Sequence, residues 1–511
     1  MNITSFEFYI MTAIAMVVYY ILPLNKRWIV LFISSIYFIV RANGYVLAAI
    51  TVAIAVWAYV ATLFISKHRN NEKMAKAIIS VGVLGMVICL LSFKEQAFFV
   101  NTSNIILNVA SVQTRLSIYE FMAPLGISYF SLTLISYVCE VYWGTVEVQK
   151  NPLKLMTYGL YFPTLTSGPI LKYNEHSKNI LNGHRFEYKN LCFGTQRIVW
   201  GFFKKLVISE RVAIVVNTIY SDAETYKGLY VPMAAALFAL QLYTDFSGCI
   251  DIILGVSELF GITLPENFDK PFISKSLSEF WRRWHITLGG WLKEYVLYPI
   301  LKSELFQKIG EKSKGKFGKK IGKKIPTWIG LLISWFLIGF WHGGGYNYIF
   351  GVGLFMGVVI ILGEIFEPSF VKLKKTLQID DKKFSWELFQ MIRTFCIFSF
   401  GLSFFRAESL SQGFSMWKSV IRNPGLGNLF DGSLSDLGLS MYDFGVLQVS
   451  VLFMAVAGLV SLNKKASIRE LVAEQGVIFR WLFWLGLVLS VVVFGKYGSG
   501  YNANNFIYVG F

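Results

Sequence analysis

Apolar runs long enough to cross a lipid bilayer constrain this chain more than any other feature. Residues 8–22, 46–65, 78–91, 328–341 and 481–494 are nearly free of charge, and each reaches or approaches the roughly 20 residues that a helix needs to span the hydrocarbon core. The whole composition agrees. Mean hydropathy is +0.52, and hydrophobic residues make up 55% of the 511 against 15% charged, too few charges to coat a water-soluble surface of that size. The expected fold class is therefore an all-α polytopic membrane protein. Residues 1–511 are read as one transmembrane domain of about 11–13 membrane segments by the length rule.

The formal charge of +17 does not point to nucleic acid, because the excess sits in short segments between apolar runs, as retention of Lys and Arg on the cytoplasmic side dictates. Basic loops are expected at about 302–324, where nine lysines face Glu304 and Glu311, and at about 367–385. Counting spans between basic loops puts the N-terminus, a loop at about 406–441 and residues 501–511 outside the cytoplasm. Residues 1–7 hold no Lys or Arg, so the first apolar run is expected to be a retained span and not a cleavable signal. Five cysteines without CxxC spacing give no metal site and no disulfide framework.

Between about 95 and 300 the apolar runs are interrupted by Pro124, Pro163, Pro169, Pro232 and Pro265. Broken or re-entrant helices are expected there. Irregular backbone at membrane depth survives only where protein or a water-filled cavity satisfies it, which makes a motif-bearing core of about 120–360 the place to look for a site. No internal repeat of the kind that builds many transporters is visible.

Of five histidines, His285 and His342 lie in strongly aromatic stretches, Trp281-Arg-Arg-Trp-His285 and Trp341-His-Gly343. Polar groups in such segments are costly and mark function by default. His342 precedes Gly343, Gly344 and Gly345, which permit close approach of backbone or ligand, and a neutral imidazole there is suited to general-base work. The bland alternative is an interfacial histidine beside Trp341. His285 is expected on a helical face with Trp281, Leu288 and Leu292, with Arg282 and Arg283 projecting away, either snorkelling to lipid phosphate or gripping the phosphates of an acyl carrier. A third cluster, Asp245-Phe-Ser247-Gly-Cys-Ile-Asp251, places two carboxylates around an expected Ser-Gly turn. Tethering of a broken helix by Asp245 and Ser247 is as good a reading as catalysis, and Ser247 lacks the GxSxG setting of a nucleophile.

The order Asp245-Phe-Ser-Gly-x-x-Asp251, Pro265-Glu-Asn267-Phe268, Phe280-Trp281-Arg-Arg-Trp284-His285, Trp291-Leu-Lys-Glu-Tyr295 and Trp341-His-Gly343 resembles the membrane-bound O-acyltransferase (MBOAT) superfamily. Pro124-Leu-Gly-Ile-Ser128, Ser167-Gly-Pro169, Phe404-Phe-Arg406 and Asn505-Phe-Ile-Tyr508 extend the likeness over nearly the whole chain. The bacterial branch of that family includes alginate O-acetylases and D-alanyl transfer proteins of teichoic acid. The resemblance implies broken helices around a central tunnel, with His342 as catalytic base and His285 as second functional histidine. It also implies an acyl thioester donor, most simply acetyl-CoA, no tightly bound cofactor and no metal. The acceptor would be an extracellular or cell-wall polysaccharide, reached directly or through an extracytoplasmic acyltransferase partner, and the location a bacterial plasma membrane. Donor-binding or structural candidates are Trp281, Arg282, Arg283, Trp284, Asp245, Ser247, Asp251, Asn267 and Trp341. Lys293-Glu294 and the ending Val509-Gly-Phe511 depart from the alginate-type pattern and bear on the acceptor. D-alanyl transfer to teichoic acid and, from another class, a polytopic transporter or flippase are the competing readings.

Overall fold

The computed structural model describes residues 1–112, 114–117, 122–429 and 431–497. The family-like terminal motif at 505–508 and the ending at 509–511 lie outside the described residues. No strand occurs among the described residues, and the nearest approach to one is an isolated antiparallel bridge between Phe268 and Trp284. An all-helical chain is what lipid demands, since helices satisfy their backbone hydrogen bonds internally.

Seven helices are long and apolar enough to cross a membrane among the described residues, namely Leu24–Lys67, Glu72–Lys94, Tyr230–Leu259, Tyr346–Thr376, Phe384–Arg406, Met441–Lys464 and Val477–Phe494. An eighth candidate is the pair Glu304–Gly322 and Ile325–Trp341, bent by 88° at their junction. Shorter helices accompany them, the apolar Phe6–Ile21 and the brief Pro152–Gly159, Leu277–Arg283 and Ile286–Leu292, which are too short to span. Polar residues start several helices. Ser5 caps Phe6–Ile21 by accepting from the Phe8 amide at 3.3 Å, and Asn71 caps Glu72–Lys94 by accepting from the Met74 amide at 3.1 Å. Val477–Phe494 presents Trp481, Leu482, Val492 and Val493 outward at more than half exposure, an arrangement that lipid accepts and water does not.

Several expectations are corrected. Pro232 interrupts nothing, because it falls in the first turn of Tyr230–Leu259, where its missing N–H costs no hydrogen bond. Ser247 and Gly248 form no turn, since the same helix runs straight through them. The segment at 302–324 is mostly helical and not a loop: Ser303 caps the helical segment Glu304–Gly322, which is broken at Gly318 (φ 76°, ψ 164°), and lysine is a good helix former. Residues 367–376 likewise complete the helix Phe355–Thr376, and 406–441 contains the helix Leu410–Arg422.

The chain divides into two compact units. One comprises Met1–Val207, Asp245–Pro265 and the chain from Leu459 onward; the other comprises Ile208–Thr244 and Glu266–Gly458. In the first unit, the helix Tyr188–Phe202 meets the second half of Tyr230–Leu259 through two reciprocal glycine contacts. A Cβ on Gly201 would stand 2.5 Å from the Gly248 carbonyl oxygen, and one on Gly248 would stand 2.8 Å from that of Gly201. Seven residues away along each helix, Gly194 and Gly255 repeat the contact at 2.7 and 2.6 Å. Small residues at that spacing bring helix backbones together where lipid offers no hydrophobic drive.

Candidate active site

The close helix crossing of the first unit encloses a network of charge. Asp251 receives Arg197 Nε at 2.9 Å and Lys204 Nζ at 2.5 Å, while Asp245 receives Lys205 Nζ at 2.5 Å. Lys204 Nζ also donates to Ser247 Oγ at 2.9 Å. Lys204 and Lys205 open a π-helical turn over Phe203–Ser209, a local widening that turns consecutive lysines toward the neighbouring helix. Asp245 and Asp251, six residues apart on one helix, are thus each held by different cations. Sequence reasoning named the two carboxylates and Ser247 and missed all three bases.

The two histidines belong to the second unit. His285 does not continue a helix from Trp281. The helix Leu277–Arg283 ends, Trp284 is extended, and His285 adopts the left-handed conformation at φ 48°, ψ 51° before Ile286–Leu292 begins. The shared helical face expected for Trp281, His285, Leu288 and Leu292 is therefore not formed. The reason lies upstream in Asn267 and Asp269. The Asn267 carbonyl accepts from the Ile286 amide at 3.0 Å, the Asn267 side-chain oxygen accepts from the Thr287 amide at 3.0 Å and its hydroxyl at 2.9 Å, and the Asp269 amide donates to the Arg283 carbonyl at 2.9 Å. A left-handed residue other than glycine costs on the order of 1–2 kcal/mol, and these long-range bonds hold it there.

His285 is buried at 3% exposure and lies outside the seven candidate spans and the bent pair. Burial pushes its pKa down to about 3, because a low-dielectric interior disfavours the imidazolium. Two buried side-chain nitrogens nearby in sequence, Asn267 Nδ2 and Trp281 Nε1, have no hydrogen-bond partner among the described residues. Arg283 is committed to Glu279 at 3.0 Å and Asp269 at 3.5 Å, whereas Arg282 is exposed.

His342 caps the C-terminus of Ile325–Trp341 and is buried at 2% exposure. The chain reverses immediately after it through Gly343 at φ 132° and Gly344 at φ 64°, values that L side chains rarely adopt. The reversal is tied down by Asn347 Nδ2, which donates to the Ala407 carbonyl at 2.8 Å. Phe405 meets the His342 ring edge-on at 5.7 Å and the Tyr348 ring at 4.9 Å.

Aromatic contacts join the neighbourhoods of the two histidines. Trp281 packs on Trp335 at 4.9 Å, two turns before His342 on the same helix. Trp284 packs on Phe398 at 5.2 Å, on the helix that also carries Phe405. Phe405 belongs to a motif quoted from sequence; Trp335, Phe398 and Tyr348 carried no signal there, being ordinary aromatics of apolar segments.

These features define a polytopic, all-helical membrane protein with two buried histidines in one compact unit. Residues 147–311 match the sequence model described as MBOAT, membrane-bound O-acyltransferase family, and this match, with relatives named O-acetylase and O-acetyltransferase, supports an O-acyltransferase. The chain is 27% identical to the probable alginate O-acetylase AlgI of Pseudomonas syringae pv. tomato, covering 80% of this chain and 72% of that protein. It is also 27% identical to the peptidoglycan O-acetyltransferase of Helicobacter pylori, over 78% and 73% of the two chains. The teichoic acid D-alanyltransferase of Bacillus subtilis is 30% identical over 50% of this chain and 62% of its own length.

Proposed function

We propose that the protein takes an acetyl group from a cytoplasmic thioester, most simply acetyl-CoA, and passes it through the membrane for O-acetylation of an extracellular or cell-wall polysaccharide. The observation that carries this reading is the burial of His285 and His342 in one aromatic unit of a membrane protein, each at a chain reversal fixed by side chains distant in sequence. His342 removes the proton of the acceptor hydroxyl as its oxygen attacks the thioester carbon. The new C–O bond forms, the C–S bond breaks, and the proton passes on to the departing thiolate. Positioning and one base supply the main rate terms for such a transfer.

His285 binds as a neutral imidazole and orients the acceptor or the acyl carbonyl, with Asn267 Nδ2 and Trp281 Nε1 as further donors to the carbonyl oxygen. Arg282 meets donor phosphate. Trp284 and Trp341 frame the histidines, and Asp245, Ser247 and Asp251 serve structure through the cations they bind. The N-terminus and the 406–441 segment lie outside a bacterial plasma membrane, and the acceptor is the glycan or a hydroxyl of an extracytoplasmic acyltransferase partner. The deciding experiment supplies labelled acetyl-CoA to membranes holding wild type or His342→Ala at matched folded levels. Label transfer undiminished in the variant removes His342 from this role.

The Bacillus subtilis relative supports a second reading, transfer of D-alanine to teichoic acid, although the match spans half of this chain. Offering the same membranes a D-alanyl thioester on a carrier protein beside acetyl-CoA separates the two.

A further inference from the structure

The segment Glu304–Gly322, helical on either side of a break at Gly318 (φ 76°, ψ 164°), carries Glu304, Lys308, Glu311, Lys312, Lys314, Lys316, Lys319 and Lys320 within 19 residues. Eight charges exclude it from the hydrocarbon core. It turns by 88° into Ile325–Trp341, whose 17 residues hold no charge, so when the latter crosses the bilayer the former runs along its surface. The elbow is fixed from within the same unit: Glu364 accepts from Lys324 Nζ at 2.6 Å and from Trp328 Nε1 at 2.9 Å.

Phe306, Gly310 and Ser313 are buried at i, i+4 and i+7, which fixes the inward stripe. Lys308, Lys312 and Lys316 are exposed and recur at helical spacing on another stripe, and Lys319 and Lys320, also exposed, follow the break at Gly318. Lys308 to Lys316 extend over about 12 Å at the α-helical rise, and the chain then folds back, so that a Cβ on Gly322 would stand 2.5 Å from Lys314 Cα. Exposed apolar side chains share the segment, with Leu305 at 64% and Phe317 at 52% before the break at Gly318 and Ile321 at 51% after it.

We infer that this helix is a docking surface for the anionic phospholipid leaflet, its lysines set at headgroup phosphates and its exposed Leu305, Phe317 and Ile321 dipping below them. Charge complementarity selects the occupant: nine lysines at 302–324 against two glutamates leave an excess of seven positive charges, the pattern that anionic headgroups attract. The apolar side chains discriminate among phosphate sources. A soluble coenzyme gives Phe317 and Ile321 nowhere to go, whereas a lipid surface takes basic and apolar side chains of one helix together. The helix thereby anchors the start of the segment that ends in His342.

The test reconstitutes the full chain in vesicles mixing phosphatidylglycerol with phosphatidylcholine and reads, by native mass spectrometry, the ratio of the two lipids retained. Wild type is expected to retain phosphatidylglycerol preferentially. The five-lysine variant K308Q/K312Q/K316Q/K319Q/K320Q is expected to lose that preference by about tenfold or more, with an intermediate loss for K316Q/K319Q, which guards against misfolding of the larger variant. K372Q/K375Q, on another helix, is expected to leave it unchanged. An unaltered ratio in both variants of the basic helix overturns the inference. Displacement of phosphatidylglycerol from wild type by added coenzyme A also overturns it, and assigns the lysines to the donor's phosphates instead.

Discussion

The side-chain oxygen of Asn267 accepts two hydrogen bonds from Thr287, from the amide at 3.0 Å and from the hydroxyl at 2.9 Å, and so closes the turn on which His285 stands. Asn267→Ala leaves the part-buried Thr287 amide without that acceptor, a loss of about 0.5–1.5 kcal/mol for one such hydrogen bond. Thr287→Val removes only the hydroxyl bond. Acyl transfer and thermal stability are therefore expected to fall further in Asn267→Ala than in Thr287→Val. Equal effects would show that the amide bond does not hold the turn.

His285 combines an imidazole with a left-handed backbone, and two substitutions separate them. His285→Gly discards the ring and relieves a conformation that costs on the order of 1–2 kcal/mol for an L residue. His285→Ala discards the ring and keeps the strain. The glycine variant is expected to unfold at a higher temperature than the alanine variant while both lose acyl transfer alike. Activity retained in either variant shows that the imidazole is dispensable.

The membrane class and the two histidines were legible in the sequence because they depend on local content: apolar runs of spanning length, and polar rings where polar groups are expensive. The turn at His285 was not, because helical spacing of Trp281, His285 and Leu288 is a local signal, and bonds from Asn267, 18 residues upstream, override it. The bases around Asp245 and Asp251 escaped for a similar reason. Gly194, Gly201, Gly248 and Gly255 have meaning only once their helices are known to cross, and that crossing brings Arg197 and Lys204 to Asp251. The basic segment at 302–324 was read from its charge alone, although its helical spacing of Lys308, Lys312 and Lys316 was present in the sequence.

Burial lowers the His285 pKa from 6.5 to about 3, and this fixes a pH dependence of stability. Above pH 6.5 the ring is neutral in folded and unfolded chains alike. As pH falls below 6.5 the unfolded chain takes up a proton that the folded chain refuses, so this contribution to stability is lost progressively towards pH 3. Thermal unfolding is expected to occur at a lower temperature at pH 5 than at pH 7.5, and His285→Gln is expected to shrink the difference. An unchanged pH dependence in that variant assigns the acid sensitivity to other groups.

Asp251 holds Arg197 and Lys204 where the backbones of two helices touch, so its removal has a cost beyond two lost ion pairs. Asp251→Ala leaves both cations in a buried site without that carboxylate, and breaking a buried pair from one side costs about 3–5 kcal/mol. Taking away the charges together removes the penalty. Asp251→Leu combined with Arg197→Met and Lys204→Met is expected to recover much of the stability lost in Asp251→Ala, as measured by thermal unfolding in detergent. Gly201→Leu, by contrast, forces a side chain against the Gly248 carbonyl, where even a Cβ stands at 2.5 Å, and no change of charge is expected to rescue it. A triple variant no more stable than Asp251→Ala would show that the carboxylate itself, and not the balance of charge around it, holds the two helices.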